Sequence, residues 1–119
     1  MIRHGEAPYL ECSSRGDNRF SAFYARIQRL NGQTIEDAYQ AFKIFEDGST
    51  GLTWKQAKGK KPVNLTECIQ YYGQLWDWYI DENPHLLSVL KSASGVSDIF
   101  GQPTHVCQAT ELWRIRNTR

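Results

Sequence analysis

The strongest hydrophobic rhythm in the chain runs from Leu65 to Ile80. Leu65, Cys68, Ile69, Tyr72, Leu75, Trp76, Tyr79 and Ile80 recur every three or four positions. That spacing predicts an amphipathic helix over about residues 65–82 with a broad apolar face. Asn64 and Glu67, three apart at its start, predict a capping box. Asn83-Pro84 breaks the pattern, and Pro84 suits the first position of a short Leu-rich helix reaching Ser92. A second stripe, Ile35, Ala38, Phe42 and Phe45, predicts a helix with Thr34 as its N-cap. Asp47-Gly48-Ser49-Thr50-Gly51 ends it. A final helix is expected from about Cys107 to Asn117.

Strand signals are shorter and lie towards the N-terminus. Residues 8–12 read as a strand, Ser13 to Asn18 as a polar turn, and Phe20 to Ile27 as a second strand by loose alternation. Asn31-Gly32 marks a turn. Leu52 to Pro62 is basic and glycine-punctuated, with a helical turn containing Trp54 at its start, and Ser94 to Thr104 reads as a loop. Together these elements predict a single α+β domain over 1–119, predominantly helical, with a few short strands.

Composition narrows the function more than the fold. A chain of 119 residues with 40% hydrophobic and 13% aromatic content can build one core without staples. Its formal net charge of +1 supplies no general field for nucleic acid or an acidic membrane. No apolar run is long enough for a membrane span. Arg3, His4 and Glu6 are followed by no apolar region, so no signal peptide is expected. Cys12, Cys68 and Cys107 are odd in number and lack CxxC spacing, which fits reduced thiols in a cytoplasmic protein. His105-x-Cys107 alone does not make a zinc site, and no metal or cofactor is expected.

Candidate chemistry concentrates on the helix that follows Thr34. At about 100° per residue, Tyr39, Lys43, Glu36 and Gln40 fall in order beside the apolar stripe. A carboxylate, a phenol, an amide and an amine thus share the border of the core, where a cleft wall would lie. The bland reading of the same spacing is a solvated helix face with a weak ion pair.

Three further groups invite a ligand, and each has a plain alternative. Arg15, Asp17 and Arg19, with two serines and Gly16, can present guanidinium and amide donors to an anion, or form an ordinary turn. Lys55, Lys58, Lys60 and Lys61 around Gly59 can hold phosphate, or form a solvated loop. Of the four tryptophans, Trp76 falls in the core stripe, Trp78 lies off it and Trp54 is on a loop, so Trp54 is the better candidate for stacking on a base, packing being the plain alternative for each. His85 and His105 are possible acid–base groups without a nucleophilic partner. Asp98, in a glycine-flanked loop, is a possible second carboxylate or a turn residue.

Glu36-x-x-Tyr39-Gln40-Ala41-x-Lys43 resembles the E-H-Y-[FY]-Q-A-x-K core of the NADAR (NAD- and ADP-ribose-associated, YbiA-like) family. The surrounding order is similar. Phe20-Ser21-Ala22-Phe23 resembles an upstream F-S-N-F segment, Gly32-Gln33-Thr34 a G-K-T, and Ala57-Lys58-Gly59-Lys60 an A-x-x-x-G-R. Pro84-His85-Leu86 to Leu90 and a terminal amphipathic helix follow, so the resemblance covers about residues 16–116. The family's late W-G-x-G and G-x-N-x-L-G signatures have no counterpart here.

The resemblance implies a NADAR-like fold and hydrolysis of an N-glycosidic bond in an ADP-ribosylated base or phosphorylated nucleotide-like substrate, free or as an adduct on nucleic acid. Glu36 would stabilise or hydrate the oxocarbenium-like sugar. Lys43 would be an alternative nucleophile toward the opened sugar, provided burial offsets the pull of Glu36 toward its ammonium form. Tyr39 would orient one of these groups, and Tyr39 and Gln40 would also contact the substrate. Arg15, Asp17, Arg19, Lys58, Lys60 and Asp98 would contact the polar substrate, and Phe20 or Trp54 would pack on base or ribose. The missing late signatures favour a rival reading, a nucleotide-binding module without turnover, such as a sensor or sequestering protein. A nucleic-acid binder using the Lys55–Lys61 loop is opposed by the near-neutral charge.

Overall fold

The structure, a computed structural model, describes residues 9–12, 15–57, 59–97 and 108–119, without the side chains of Tyr9, Trp54, Ala57 and Ser97. Among the described residues, four short strands and five α-helices follow in the order β1 (Tyr9–Glu11), β2 (Arg26–Ile27), β3 (Gln33–Thr34), α1 (Ile35–Phe42), α2 (Trp54–Ala57), α3 (Leu65–Glu82), α4 (Pro84–Ser92), β4 (Gly95–Ser97) and α5 (Gln108–Thr118). The architecture is α+β and mostly helical, and among the described residues no helix is long and apolar enough to cross a membrane.

Helix α3 is the spine. It buries Cys68, Tyr72, Leu75, Trp76, Tyr79 and Ile80, the predicted stripe without its flanking members. Helix α1 packs on it through Ile35, Ala38 and Tyr39, with the Tyr39 and Tyr72 rings edge to face at 5.0 Å. Leu86 and Leu90 of α4 and Ala109, Leu112 and Ile115 of α5 complete the same core. Pro84 occupies the first turn of α4, as its fixed φ favours.

Two two-stranded sheets flank the helices. β2 and β3 form an antiparallel hairpin pairing Arg26 with Thr34 and Ile27 with Gln33. Its turn closes through Asn31 at φ 59° and Gly32 at φ 76°, left-handed positions that Asn and Gly tolerate best. β1 pairs in parallel with β4, Leu10 opposite Val96, so residues 95–97 are a strand and not the expected loop. Three residues carry too little pattern to announce a strand; its partner lies more than eighty positions away.

Three other expectations give way to tertiary contacts. Phe20 to Ile27 is not one strand. Asn18–Phe20 is a 3₁₀ turn, and Ser21 accepts from Tyr24 N and Ala25 N at 3.0 and 2.8 Å, leaving only Arg26–Ile27 extended. The backbone N–H of Ala22 donates to the buried Oε1 of Gln108 at 2.7 Å, tying this turn to the start of α5. Helix α1 stops at Phe42, because Lys43 turns extended at φ −66°, ψ 139°. Phe42 is therefore 37% exposed although it was expected in the stripe, while Phe45 is buried from the following loop. The Asn64 side chain, finally, accepts from no backbone N–H at the head of α3, so the capping box does not form.

Candidate functional site

Thr34 sets the position of the site. Its Oγ1 accepts from Asp37 N at 3.1 Å and starts α1 at Ile35. Ile35 N donates to Ala25 O at 2.9 Å and Glu36 N to Ala22 O at 3.0 Å, so the first turn of α1 is docked on the 20–25 turn. The Phe20-Ser21-Ala22-Phe23 segment thereby lies directly against Glu36.

Glu36 is half-buried. Its Oε1 accepts from Gln40 Nε2 at 3.0 Å, one helical turn on. Burial is the main influence on it and pushes its carboxyl above the usual range. The Gln40 hydrogen bond and the positive charge of Lys43 oppose that shift, and Asp37 adds to it. The Oε1 of Gln40 is itself buried with no partner. A protonated Glu36 is the kind of donor such an oxygen needs, and an amide flip would bring the two together.

Lys43 is the last residue of this group and no longer helical. Its Nζ sits 4.8 Å from the centroid of the Tyr39 ring. Burial lowers its pKa, and this outweighs the opposing pull of Glu36 and Cys68. The carboxyl and the amine sense each other electrostatically but form no ion pair. Both are thus pushed toward their neutral forms. Burial thus acts on Lys43 in the direction opposite to the pull of its neighbour carboxylate.

Tyr39 lies deeper than a border position. It is 3% exposed, and burial, Cys68 and Glu36 push its phenol up to about 12. It forms the wall behind Lys43 and presents no exposed face of its own. The residues the sequence did not single out are on α3. Cys68 is fully buried, donates from Sγ to Asn64 Oδ1 at 3.3 Å, and feels the Lys43 charge. Cys68 and Tyr72 were legible only as core positions, because the approach of Cys68 to Lys43 and of Tyr72 to Tyr39 depends on how α1 crosses α3.

The expected substrate contacts divide. Phe20 is corrected: it is 0% exposed, a core ring with no surface for a base or ribose. Within the same segment Phe23 and Tyr24 are the exposed aromatics, at 47% and 54%. Asp17 and Arg19 are joined to each other, Nη2 to Oδ2 at 2.6 Å and Nε to Oδ1 at 3.0 Å, while Asp17 also accepts from Arg19 N. The guanidinium holds the Asp17 carboxyl below its ordinary range. This pair stays exposed at its arginine end, and Arg15 beside it is exposed as well. Gly16 is needed for the turn, since a Cβ there would meet Glu11 O at 2.1 Å.

Lys60 lies over the Phe45 ring at 5.7 Å, in an open groove of about 320 Å³ lined by Phe45, Glu46, Asp47, Lys60 and Lys61. Phe45 follows Lys43 by two residues, so the lysine loop borders the end of the candidate site without touching Glu36. Trp54 lies on the described backbone of α2, its side chain outside the described set. Lys58, Asp98, His105 and Cys107 lie outside the described residues. Trp76 is fully buried, as its place in the stripe implies, and His85 is exposed in the first turn of α4. Cys12 and Cys68 are both buried. Among the described residues, no group of three or more His, Cys, Asp or Glu side chains is placed to hold a metal ion. The chain matches no protein-family model, and no curated protein matches its sequence.

Proposed function

We propose that the chain is an N-glycosidase, NADAR-like in its α1 motif, that hydrolyses the bond between base and ribose in an ADP-ribosylated or phosphorylated nucleotide-type substrate. The observation that carries this reading is the Glu36–Lys43 arrangement: a carboxyl raised and an amine lowered by burial, on one flank beside the core. Paired groups tuned away from their solution values suit acid–base and nucleophilic work better than a surface ion pair does. In the reaction the C1′–N bond breaks, the base leaves with a proton, and a water oxygen bonds to C1′. Glu36 would steady the positive charge on the sugar and take the proton of the water. A neutral Lys43 could instead attack C1′ as the base leaves with a proton, the ring C1′–O4′ bond then opening to give an imine that water hydrolyses to the free sugar and the amine. Phe23, exposed where Phe20 is enclosed, would supply the aromatic surface from this segment.

Incubation with ADP-ribosylated guanine in DNA, ADP-ribose and NAD, followed by mass spectrometry, tests the proposal. Release of free base, lost by about 10²-fold or more in E36Q or K43A, is the expected result. Borohydride trapping of a Lys43 adduct separates the imine route from the carboxylate route. Tight binding with no turnover would replace the enzyme by a nucleotide-binding module.

A further inference from the structure

Lys43 is held by a side chain twenty-one positions away. Asn64 accepts from Ile44 N at 2.9 Å through Oδ1 and donates from Nδ2 to Phe42 O at 3.2 Å. These two groups belong to the peptide units on either side of the Lys43 α-carbon. One carboxamide therefore fixes both planes that determine φ and ψ at Lys43. Val63 N adds a bond to Ile44 O at 2.8 Å, and Cys68 Sγ donates to the same Oδ1. Asn64 is thus drawn away from the head of α3, where its sequence position would have it cap, and joined to the end of α1.

The consequence is directional. A lysine that continued α1 would carry its amine along the helix flank toward water. The extended turn at Lys43 instead accompanies an amine lying over Tyr39, within electrostatic reach of Glu36 and Cys68. We infer that Asn64 is the positioning residue of the site: its carboxamide clamps the two peptides flanking Lys43 and so keeps the amine against Tyr39 and Cys68. This rests on the reading of Lys43 as a working amine, but it can be tested without any substrate.

The experiment is competitive acylation of the intact protein by acetic anhydride across a pH series, with each lysine quantified by peptide mass spectrometry. The groups facing Lys43 are Glu36 and Tyr39 of α1 and Cys68 of α3. In the wild type, Lys43 should reach its reactive neutral form at lower pH than the exposed Lys60 and Lys61. N64A should move the Lys43 profile to higher pH, seen as a several-fold loss of its labelling at about pH 8 with Lys60 and Lys61 unchanged. I115V, a core change far along α5, controls for general loss of stability and should leave the profile in place. If N64A does not fold, N64Q, whose amide sits one methylene out of register, carries the same test with a smaller shift. An unmoved Lys43 profile in the folded variant overturns the inference. A wild-type Lys43 that labels like Lys60 overturns it together with the reading of the amine. A positive labelling result with no glycoside turnover leaves the clamp standing and removes the enzyme.

Discussion

Phe20 is the residue on which a ligand-facing reading and a structural one diverge most, and F20A separates them. The ring is wholly enclosed, Arg19 lies 5.8 Å from its centroid, and the carbonyl of Arg19 accepts the Tyr79 hydroxyl at 2.5 Å. Truncation to alanine forfeits the transfer free energy of a buried phenyl group, about 2–3 kcal/mol. A cavity that the 3₁₀ turn cannot fully close brings the loss to about 3–5 kcal/mol. Natural domains hold only about 5–15 kcal/mol in total. At about 4 °C for each kcal/mol, Tm should fall by about 12–20 °C. Urea denaturation gives the same quantity as a drop in midpoint at constant slope. F23A, at an exposed ring three residues on, should cost less than about 1 kcal/mol. A stacking platform in solvent would behave in the opposite way, with stability kept and affinity lost. A loss below about 1 kcal/mol for F20A, with an unchanged slope, would refute the placement of this ring in the core.

Two further outcomes follow from particular contacts. Burial raises the Glu36 carboxyl, so its contribution to stability is fully present below its unfolded pKa and is lost as pH rises through the folded one. E36Q should therefore raise the denaturation midpoint at neutral pH, and the gain should vanish in mild acid. A gain that is the same at both would contradict the burial argument. G73A puts a methyl 3.0 Å from Glu111 Oε1, the far end of a flexible side chain that also bonds Arg114 at 3.0 Å. The helix gains up to about 1 kcal/mol from the change, so Tm should rise slightly. A fall would mean that the Glu111–Arg114 pair resists displacement.

Much of the helical scaffold was legible in the residues themselves. The extents of α3 and α4, the cap at Thr34 and Pro84 at the head of α4 depend on side chains within a turn or two of each other. Periodicity and cap chemistry report such local terms directly. For the same reason the α1 motif could be read as a flank, with Glu36, Tyr39, Gln40 and Lys43 in order around one helix.

What the residues could not show is whether that flank was one continuous helix. Its end at Phe42 is decided by Asn64, and an amide that matches a capping box locally was found bonding to a chain segment twenty residues back. Both uses engage the same Oδ1 acceptor, and only the approach of the two segments chooses between them. The parallel pairing of β1 with β4, the enclosure of Phe20 and the meeting of Lys43 with Cys68 have the same origin. Each is a contact between positions far apart in the chain, formed once α1 and the N-terminal segment fold onto α3. The sequence by itself thus determined where most helices run and which polar side chains share the flank of α1. The tertiary structure alone decided which way the amine of Lys43 faces and how far burial shifts it, because direction and desolvation come from neighbours that no local pattern names.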